Sequence, residues 1–315
     1  MEKKLICFFL FISSGLMAQD PFFSQYNSNA IYLNPAFAGS FENGIFTAAY
    51  RSQWPGFRNS YQTLNFSFNK YYSKVKGGLG INYFYDSAGD GTINTQNVQI
   101  MYAPNIQLNN SIVIKPAVSL GYAYKTLDWR RLTFGDNIDP RYGFTYPAFT
   151  NPPLEHVSFF DISSGILIYN NFFSAGAAFN HINEPDQSFI KEGTSPLPIR
   201  YTIHGSLNFS IHAKDTIIRI EPSVVYSKQG NTDFNKIGFA LKYKCFLSGI
   251  YFQENYTNTS LMIGFEKNQI RVSYGFDFGY LNDGAVTSHE FFISYSLPNK
   301  KQKTDGMLFN NSFAF

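Results

Sequence analysis

Charged residues are scarce in this sequence, making up 15% of its 315 residues. A soluble domain carries about a quarter, so the deficit indicates that much of the folded surface does not face water. The formal net charge is only +3, and the lysines and arginines are not clustered. This charge balance gives no reason to propose nucleic acid as a partner.

Cysteines and long apolar runs are also few. The chain has two cysteines, and one apolar run, over residues 5–16, follows a pair of lysines and precedes Ala18. This pattern is typical of a secretory signal peptide, which we predict over residues 1–18. Its removal leaves Cys245 as the only cysteine, which rules out a scaffold held by internal disulfides. No later stretch approaches the roughly 18 apolar residues of a membrane helix, which excludes an inner-membrane helical protein.

Alternation of apolar and polar residues dominates the rest of the chain. In the clearest segment the apolar side chains are Ile270, Val272, Tyr274, Phe276, Phe278 and Tyr280. Successive side chains of a strand point to opposite faces, so Arg271 and Asp277 share the other face. Lysines in segments 111–125 and 233–244 also lie opposite an uncharged face. Since a lysine facing lipid costs roughly 2–4 kcal/mol, this pattern favours hydrocarbon as the surrounding medium.

Period-two runs bounded by turn residues predict about fourteen strands. Their lengths are close to the roughly 9–11 residues that a tilted membrane strand needs. The breaks between them are long at 54–60, 126–158 and 182–198 and short at positions such as 170–171. Outer-membrane barrels have this asymmetry, with short periplasmic turns and longer extracellular loops. We therefore predict an all-β fold, a transmembrane outer-membrane β-barrel of about 14 antiparallel strands over residues 45–297.

Two prolines fit barrel strands less well. Pro116 and Pro222 lie in mid-strand in similar contexts, and proline cannot donate a hydrogen bond to a neighbouring strand. We expect bulges or strand distortions at both positions. The alternative all-β fold is a soluble secreted β-sandwich, which would have to pair as many strands in one chain without a helix or a disulfide.

Two segments flank the predicted barrel. Residues 19–44 are rich in Phe, Tyr and Asn but lack sustained alternation. We expect this N-terminal aromatic segment to fold into or across the lumen as a plug, and the alternative is a flexible tail. Residues 298–315 form a lysine-rich C-terminal tail. Its place in the lumen, in the periplasm or on a partner is left open by the sequence.

Residues able to carry chemistry are scattered along the chain. The five histidines show no metal-binding spacing. Ser288, His289 and Glu290 are adjacent on a strand and alternate between its faces, so they cannot meet as a catalytic triad. His204 is expected to form a hydrogen bond in the lumen. We predict no catalytic, cofactor-binding or metal-binding residue.

The loop over 126–158 is too long to be a simple connection, because structureless loops beyond roughly 15 residues are usually functional. It contains Asp128, Asp136 and Asp139, and oxygen-rich loops can bind calcium. The spacing does not match an EF-hand loop, and the loop's own arginines are available as partners. A loop held by salt bridges is therefore the expected arrangement.

Four short motifs resemble a known family. They are DPFFSQY at 20–26, LNPAFAG at 33–39, YRSQWPG at 50–56 and FGDNID at 134–139. Together they strongly resemble the PorP/SprF family, and the likeness extends over the whole mature chain. By motif match, the family-signature positions and candidates for partner binding are Asn34, Pro35, Gly39, Arg51, Gln53, Trp54, Asp136 and Asp139.

The resemblance implies an outer-membrane barrel of the type IX secretion system of Bacteroidota, without known catalytic activity. Such a barrel is expected to support secretion or cell-surface attachment of a cargo protein such as a gliding adhesin. The expected partners are the secreted cargo, periplasmic secretion-system lipoproteins or peptidoglycan-associated proteins, and outer-membrane lipid. The alternative is an outer-membrane channel for a hydrophobic small molecule, similar to fatty-acid transporters. Lumen charges of mixed sign, such as Lys115 and Asp161, would pair and favour a closed interior.

Overall fold

The computed structural model describes a closed antiparallel barrel of 14 strands, as the alternation predicts. It covers residues 20–41, 43–57, 60–132, 138–139, 141–144, 154–213, 216–253, 258–281 and 284–298. The strands are β1 Ile45–Gln53, β2 Tyr61–Tyr72, β3 Gly77–Ala88, β4 Ile93–Pro104, β5 Val113–Leu127, β6 His156–Tyr169, β7 Phe173–Asn180, β8 Arg200–Leu207 with Phe209–Ala213, β9 Thr216–Gln229, β10 Thr232–Tyr243, β11 Phe246–Gln253, β12 Asn258–Lys267, β13 Ile270–Leu281 and β14 Gly284–Ser296.

Each strand pairs with its sequence neighbours, and the two end strands close the ring. β1 pairs with β2 on one side and with β14 on the other, from Ile45 opposite Ser296 to Gln53 opposite Ser288. A closed ring leaves no strand edge unpaired, which is why strands can cross a bilayer in this form. The described residues include three shorter strands. Ile106–Gln107 extends the pairing along β5, and Ile138–Asp139 forms a separate hairpin with Gly143–Phe144.

The two faces of the wall differ as predicted. Outward side chains such as Leu120 and Ile263 are 64% and 65% exposed, whereas the inward side chains of Lys115 and Lys236 are 0% and 1% exposed. The expected face of β13 is confirmed, since Arg271 and Asp277 are buried while their apolar neighbours face outward. Charge is thus confined to the lumen side at mid-wall, which removes the cost of placing it in lipid.

Bulges do not form at the two mid-strand prolines, so that part of the prediction is wrong. Pairing stops on one side of each proline and resumes in the same register, so no extra residue is inserted. Between β4 and β5 it stops near Pro116, after Tyr102 opposite Val118. Between β8 and β9 it stops opposite Pro222, where Asn208 separates the two segments of β8. Without an N–H the proline interrupts the ladder, and the intact strand on its other side keeps the register.

The connections at the two ends of the barrel differ in length. The long ones, 54–60, 128–155 and 181–199, lie at one end, and short turns such as 244–245 and 268–269 lie at the other. The rule for outer-membrane barrels makes the long-loop end extracellular. The first residue of β1 and the last residue of β14 then lie at the periplasmic end.

Short helical turns occur in the N-terminal segment and in two connections. They are the 3-10 turns Tyr26–Asn29, Pro35–Phe37, Ser73–Val75 and Trp129–Arg131 and the single α-turn Ala30–Leu33. In the described part of the chain, no helix has the length and apolar character needed to cross a membrane. The predicted signal peptide 1–18 and the tail beyond Pro298 lie outside the described residues.

Candidate functional site

The N-terminal segment, residues 20–41, lies inside the barrel, as its aromatic content predicts. We call it the plug. Its rings pack against lumen-facing rings of the wall. Phe22 lies 4.0 Å from Phe234 between ring centroids, and Tyr26 lies 5.6 Å from Tyr251. The Tyr26 hydroxyl is also 2.8 Å from the hydroxyl of Ser223. Removing this apolar area from water stabilises the plug inside the lumen.

A buried arginine joins the plug to the wall near the extracellular end of β1. The Arg51 guanidinium donates to Asp277 of β13 at 2.7 Å and to Glu290 of β14. Glu290 in turn accepts from the backbone N–H groups of Ser24 and Gln25 at 2.6 and 3.1 Å. The hydroxyl of Ser24 lies between Arg51 and Asp277, accepting from the first and donating to the second. We call this group the Arg51 cluster.

A second charged group holds the start of the plug. His181, in the loop after β7, has Nε2 2.6 Å from Asp20 and Nδ1 2.9 Å from Asp161 of β6. Arg200 of β8 lies 3.1 Å from the same Asp20 carboxylate. Burial alone would lower the pKa of His181, but the carboxylates of Asp20 and Asp161 raise it to about 9. Burial would raise the pKa of Asp20, but His181 and Arg200 hold it well below its ordinary range.

This group, the His181 cluster, makes the start of the plug sensitive to alkali. Because the pKa of His181 is raised, its protonated imidazole stabilises the docked plug fully at pH values below its ordinary pKa of 6.5. This stabilisation is lost as pH rises through about 9. We expect hydrogen exchange in residues 20–26, corrected for its intrinsic pH dependence, to accelerate about tenfold between about pH 7 and about pH 10. The His181→Asn variant should lack this step. Equal protection of the wild-type plug at both pH values would contradict the prediction.

The lower plug is held by an amide instead of by charge. The side chain of Asn34 is fully buried and caps the turn Pro35–Phe37, accepting from the N–H of Ala36 at 2.9 Å. Its amide nitrogen donates to the backbone oxygen of Ile166 at 3.1 Å and lies 3.0 Å from Nε2 of His204. The predicted lumen hydrogen bond of His204 is therefore confirmed. One asparagine both caps the start of the helical turn and ties it to the wall.

A close approach of two glycine backbones fixes the base of the plug. Gly39 has φ +62°, a conformation that L side chains rarely adopt, and it packs directly against Gly78 of β3. A Cβ at Gly78 would lie 1.9 Å from the carbonyl oxygen of Ala38. The buried ammonium of Lys115 donates to that same oxygen at 2.8 Å. Only glycine at position 78 leaves room for this approach.

The Gly78→Ala variant tests the seat of the plug. The added methyl group must push the plug backbone away, and such overpacking typically costs about 1–3 kcal/mol. We expect faster chymotrypsin cleavage within residues 20–41 while the barrel keeps its heat-modifiable mobility. Gly205→Ala is the matched control, since its nearest contact would be an ordinary 3.6 Å to the oxygen of Ser174. Equal cleavage of the two variants would show that the plug is not seated on Gly78.

The eight positions predicted from the motifs do not form one site. Asn34, Pro35 and Gly39 lie in the plug, and Arg51 and Gln53 lie together on β1, where the Arg51 Nε donates to the Gln53 side chain at 3.4 Å.

Of the remaining three positions, Trp54 and Asp139 lie apart from the plug. Trp54 directly follows β1 with φ +56°, and its backbone N–H donates to the backbone oxygen of Thr287 at 3.0 Å. Asp139 belongs to the short loop hairpin, and Asp136 lies outside the described residues. Asp128 pairs with Arg130 at 3.1 Å and Arg131 at 3.5 Å, which confirms salt bridging for that part of the loop.

The structure adds residues that the sequence did not single out. The sequence draws attention to Glu290 only beside Ser288 and His289, whereas its contacts lie on β1 and the plug. His181 and Arg200 carried no motif. The sequence does indicate two members of the clusters. Asp20 belongs to the DPFFSQY motif, and Asp161 is expected to pair in the lumen.

Cavities remain beside the plug. One of about 240 Å³ opens at the periplasmic end between the plug, β1, β2 and β12 to β14. Another, of about 60 Å³, lies next to the His181 cluster. Across the described residues, no group of three His, Cys, Asp or Glu side chains is arranged to hold a metal ion.

The family comparison decides the identity of this plugged barrel. The model of the Type IX secretion system membrane protein PorP/SprF matches residues 16–295. The chain belongs to the PorP/SprF family. Its localisation is therefore the outer membrane, in agreement with the lipid-facing wall. Among curated proteins, none matches this sequence.

Solved structures similar to this PorP/SprF member include two toluene transporters. The Pseudomonas putida toluene transporter TodX is 10% identical and has a TM-score of 0.51, with 89% of this chain and 98% of that chain covered. The Ralstonia pickettii toluene transporter TbuX is 11% identical with a TM-score of 0.49, covering 85% and 93%. At such identities the likeness bears on the fold alone.

Proposed function

We propose that this protein is a non-enzymatic barrel of the type IX secretion system that supports secretion or cell-surface attachment of a cargo protein such as a gliding adhesin. The observation that carries the proposal is the family match over residues 16–295. The filled lumen supports it, because a barrel closed by its own plug is suited to display loops and hold partners. The long loops face the cell surface, where such a cargo would be held.

The partners follow from the two ends of the barrel. The cargo would meet the extracellular loops, and periplasmic secretion-system lipoproteins or peptidoglycan-associated proteins would meet the turns. The loop over 181–199 offers a clean way to test the outer contact. Asp186 and Pro196 form a bridge at its base, and the Asp186 carboxylate accepts from the N–H groups of Ser188 and Ser195 at 3.0 and 2.8 Å.

Excising residues 188–194 should remove the loop tip and spare the barrel, since His181 and the bridge at the base remain. In a host lacking the wild-type gene, we expect the excised variant to assemble but to restore little cargo at the cell surface. The wild-type gene should restore it fully. Mass spectrometry of surface proteins measures the outcome. An unchanged surface proteome in the host without the gene would refute the proposed function.

The alternative function is an outer-membrane channel for a hydrophobic small molecule. It is favoured by the similarity to TodX, which is described as a toluene transporter. The plug argues against a permanently open path, since its rings and both charged clusters occupy the lumen. Planar-bilayer recording separates the two functions: we expect no steady current from the wild-type barrel, and a steady current would favour the channel.

A further inference from the structure

The periplasmic rim of the barrel is basic. We define it as the turns 73–76, 105–112, 170–172, 244–245 and 268–269 with the adjoining strand ends. Its lysines are Lys70, Lys74, Lys76, Lys244 and Lys267, and all but the half-buried Lys70 are exposed. Within the described part of this rim there is no exposed Asp or Glu. Glu266 points into the lumen, where Arg271 donates to it at 2.7 Å and Lys242 also pairs with it.

Among the described residues, the extracellular end has no such excess. There, exposed carboxylates such as Asp186 and Asp233 alternate with exposed cations such as Arg130 and Lys228. Some of them pair, as Lys228 does with Asp233 at 3.9 Å. The excess of positive charge therefore belongs to one end of the barrel.

Three of the rim lysines, Lys70, Lys244 and Lys267, lie on the membrane side of the wall. The Lys70 ammonium is 5.7 Å from the ring centroid of Tyr72, and the Lys244 ammonium is 5.4 Å from that of Tyr243. Both rings are outward and exposed, at 40% and 42%. Lys267 follows the outward Phe265 at the end of β12. Tyrosines with adjacent lysines are typical of the level at which lipid headgroups meet water.

We propose that this lysine rim binds anionic phospholipid headgroups in the periplasm-facing leaflet of the outer membrane. The position of the lysines on the outer perimeter favours a lipid headgroup as their ligand. A periplasmic protein would instead be expected to meet charges turned toward the lumen axis. Each lysine near a charged bilayer surface enriches anionic lipid about fivefold. The rim then sets the depth of the barrel in the bilayer and marks its periplasmic end.

Lipid retention by the full-length barrel tests the proposal. The barrel is placed in nanodiscs of phosphatidylcholine with a minor share of phosphatidylglycerol, and native mass spectrometry counts the retained lipids. The rim variant carries Lys74→Gln, Lys76→Gln, Lys244→Gln and Lys267→Gln. The matched control carries Arg130→Gln, Arg131→Gln, Lys191→Gln and Lys228→Gln at the extracellular end. We expect the wild type and the control to retain phosphatidylglycerol in preference to phosphatidylcholine. In the rim variant, this preference should be smaller by about tenfold or more.

Three outcomes would overturn the proposal. They are equal retention by the rim variant and the control, no lipid preference in the wild type, and unchanged lipid retention with loss of a copurifying periplasmic protein. The last would assign the rim to a protein partner. Heat-modifiable mobility confirms folding of each variant. If the fourfold variant fails to fold, the pairs Lys74→Gln with Lys76→Gln and Lys244→Gln with Lys267→Gln replace it, each with an intermediate loss expected.

Discussion

Replacing Arg51 with methionine is expected to prevent stable assembly of the barrel. The variant leaves Asp277 and Glu290, 2% exposed each, without the guanidinium that bridges them, and the more distant Lys236 is then the buried cation beside them. Removing one partner of a buried ion group costs about 3–5 kcal/mol, because the remaining charge stays buried and uncompensated. This is a large part of the total stability of most folded domains. Heat-modifiable mobility and urea unfolding in lipid vesicles measure the loss.

Two further variants identify the source of that loss. Arg130→Met removes an arginine that is 92% exposed at its side chain and should be close to neutral. Combining Arg51→Met with Asp277→Asn and Glu290→Gln removes the uncompensated charges and should restore part of the stability. If Arg51→Met alone assembles as well as the wild type, the Arg51 cluster does not stabilise the barrel.

Introducing a lysine at Leu120 is expected to have the second largest effect. Leu120 lies near the middle of β5 and is 64% exposed on the outer face. A lysine at the bilayer midplane costs about 2–4 kcal/mol, and the cost falls to about 0–1 near the interface. Tyr280→Lys is the matched control, since Tyr280 is 74% exposed on the same face near the extracellular end of β13.

Comparing these two variants tests how deep each residue lies in the membrane and which medium covers the outer wall. In lipid vesicles, unfolding of Leu120→Lys should need much less urea than unfolding of Tyr280→Lys. Equal destabilisation by the two lysines, or none by either, would mean that hydrocarbon does not cover the middle of this wall.

The wall could be predicted from the sequence because alternation is a local property. Each residue of β13 takes its face from its neighbours alone, so the pattern from Ile270 to Tyr280 was sufficient to orient Arg271 and Asp277. Loop length is also local, which is why the two ends of the barrel were correctly distinguished. The place of the plug followed from its aromatic content without alternation.

The charged clusters could not be predicted, because their members are far apart in sequence. Arg51 meets Asp277 and Glu290 only through the closure of the ring and the exact stagger of its strands. The interruptions near Pro116 and Pro222 depended on the neighbouring strand in the same way. His181 lies in a loop, where no periodicity indicates the direction of a side chain.

The pairing of β1 with β14 places the closure of the barrel beside the docking of the plug. Arg51 and Glu290 are register partners across this junction, and Glu290 also holds the backbone of Ser24 and Gln25. Contacts between the first and last strands carry the highest loop-closure cost and come late in assembly. The strand pair that closes the barrel and the docked plug therefore share the Glu290 carboxylate. Loss of the Glu290 carboxylate would therefore weaken the β1–β14 junction and the hold on Ser24 and Gln25 together.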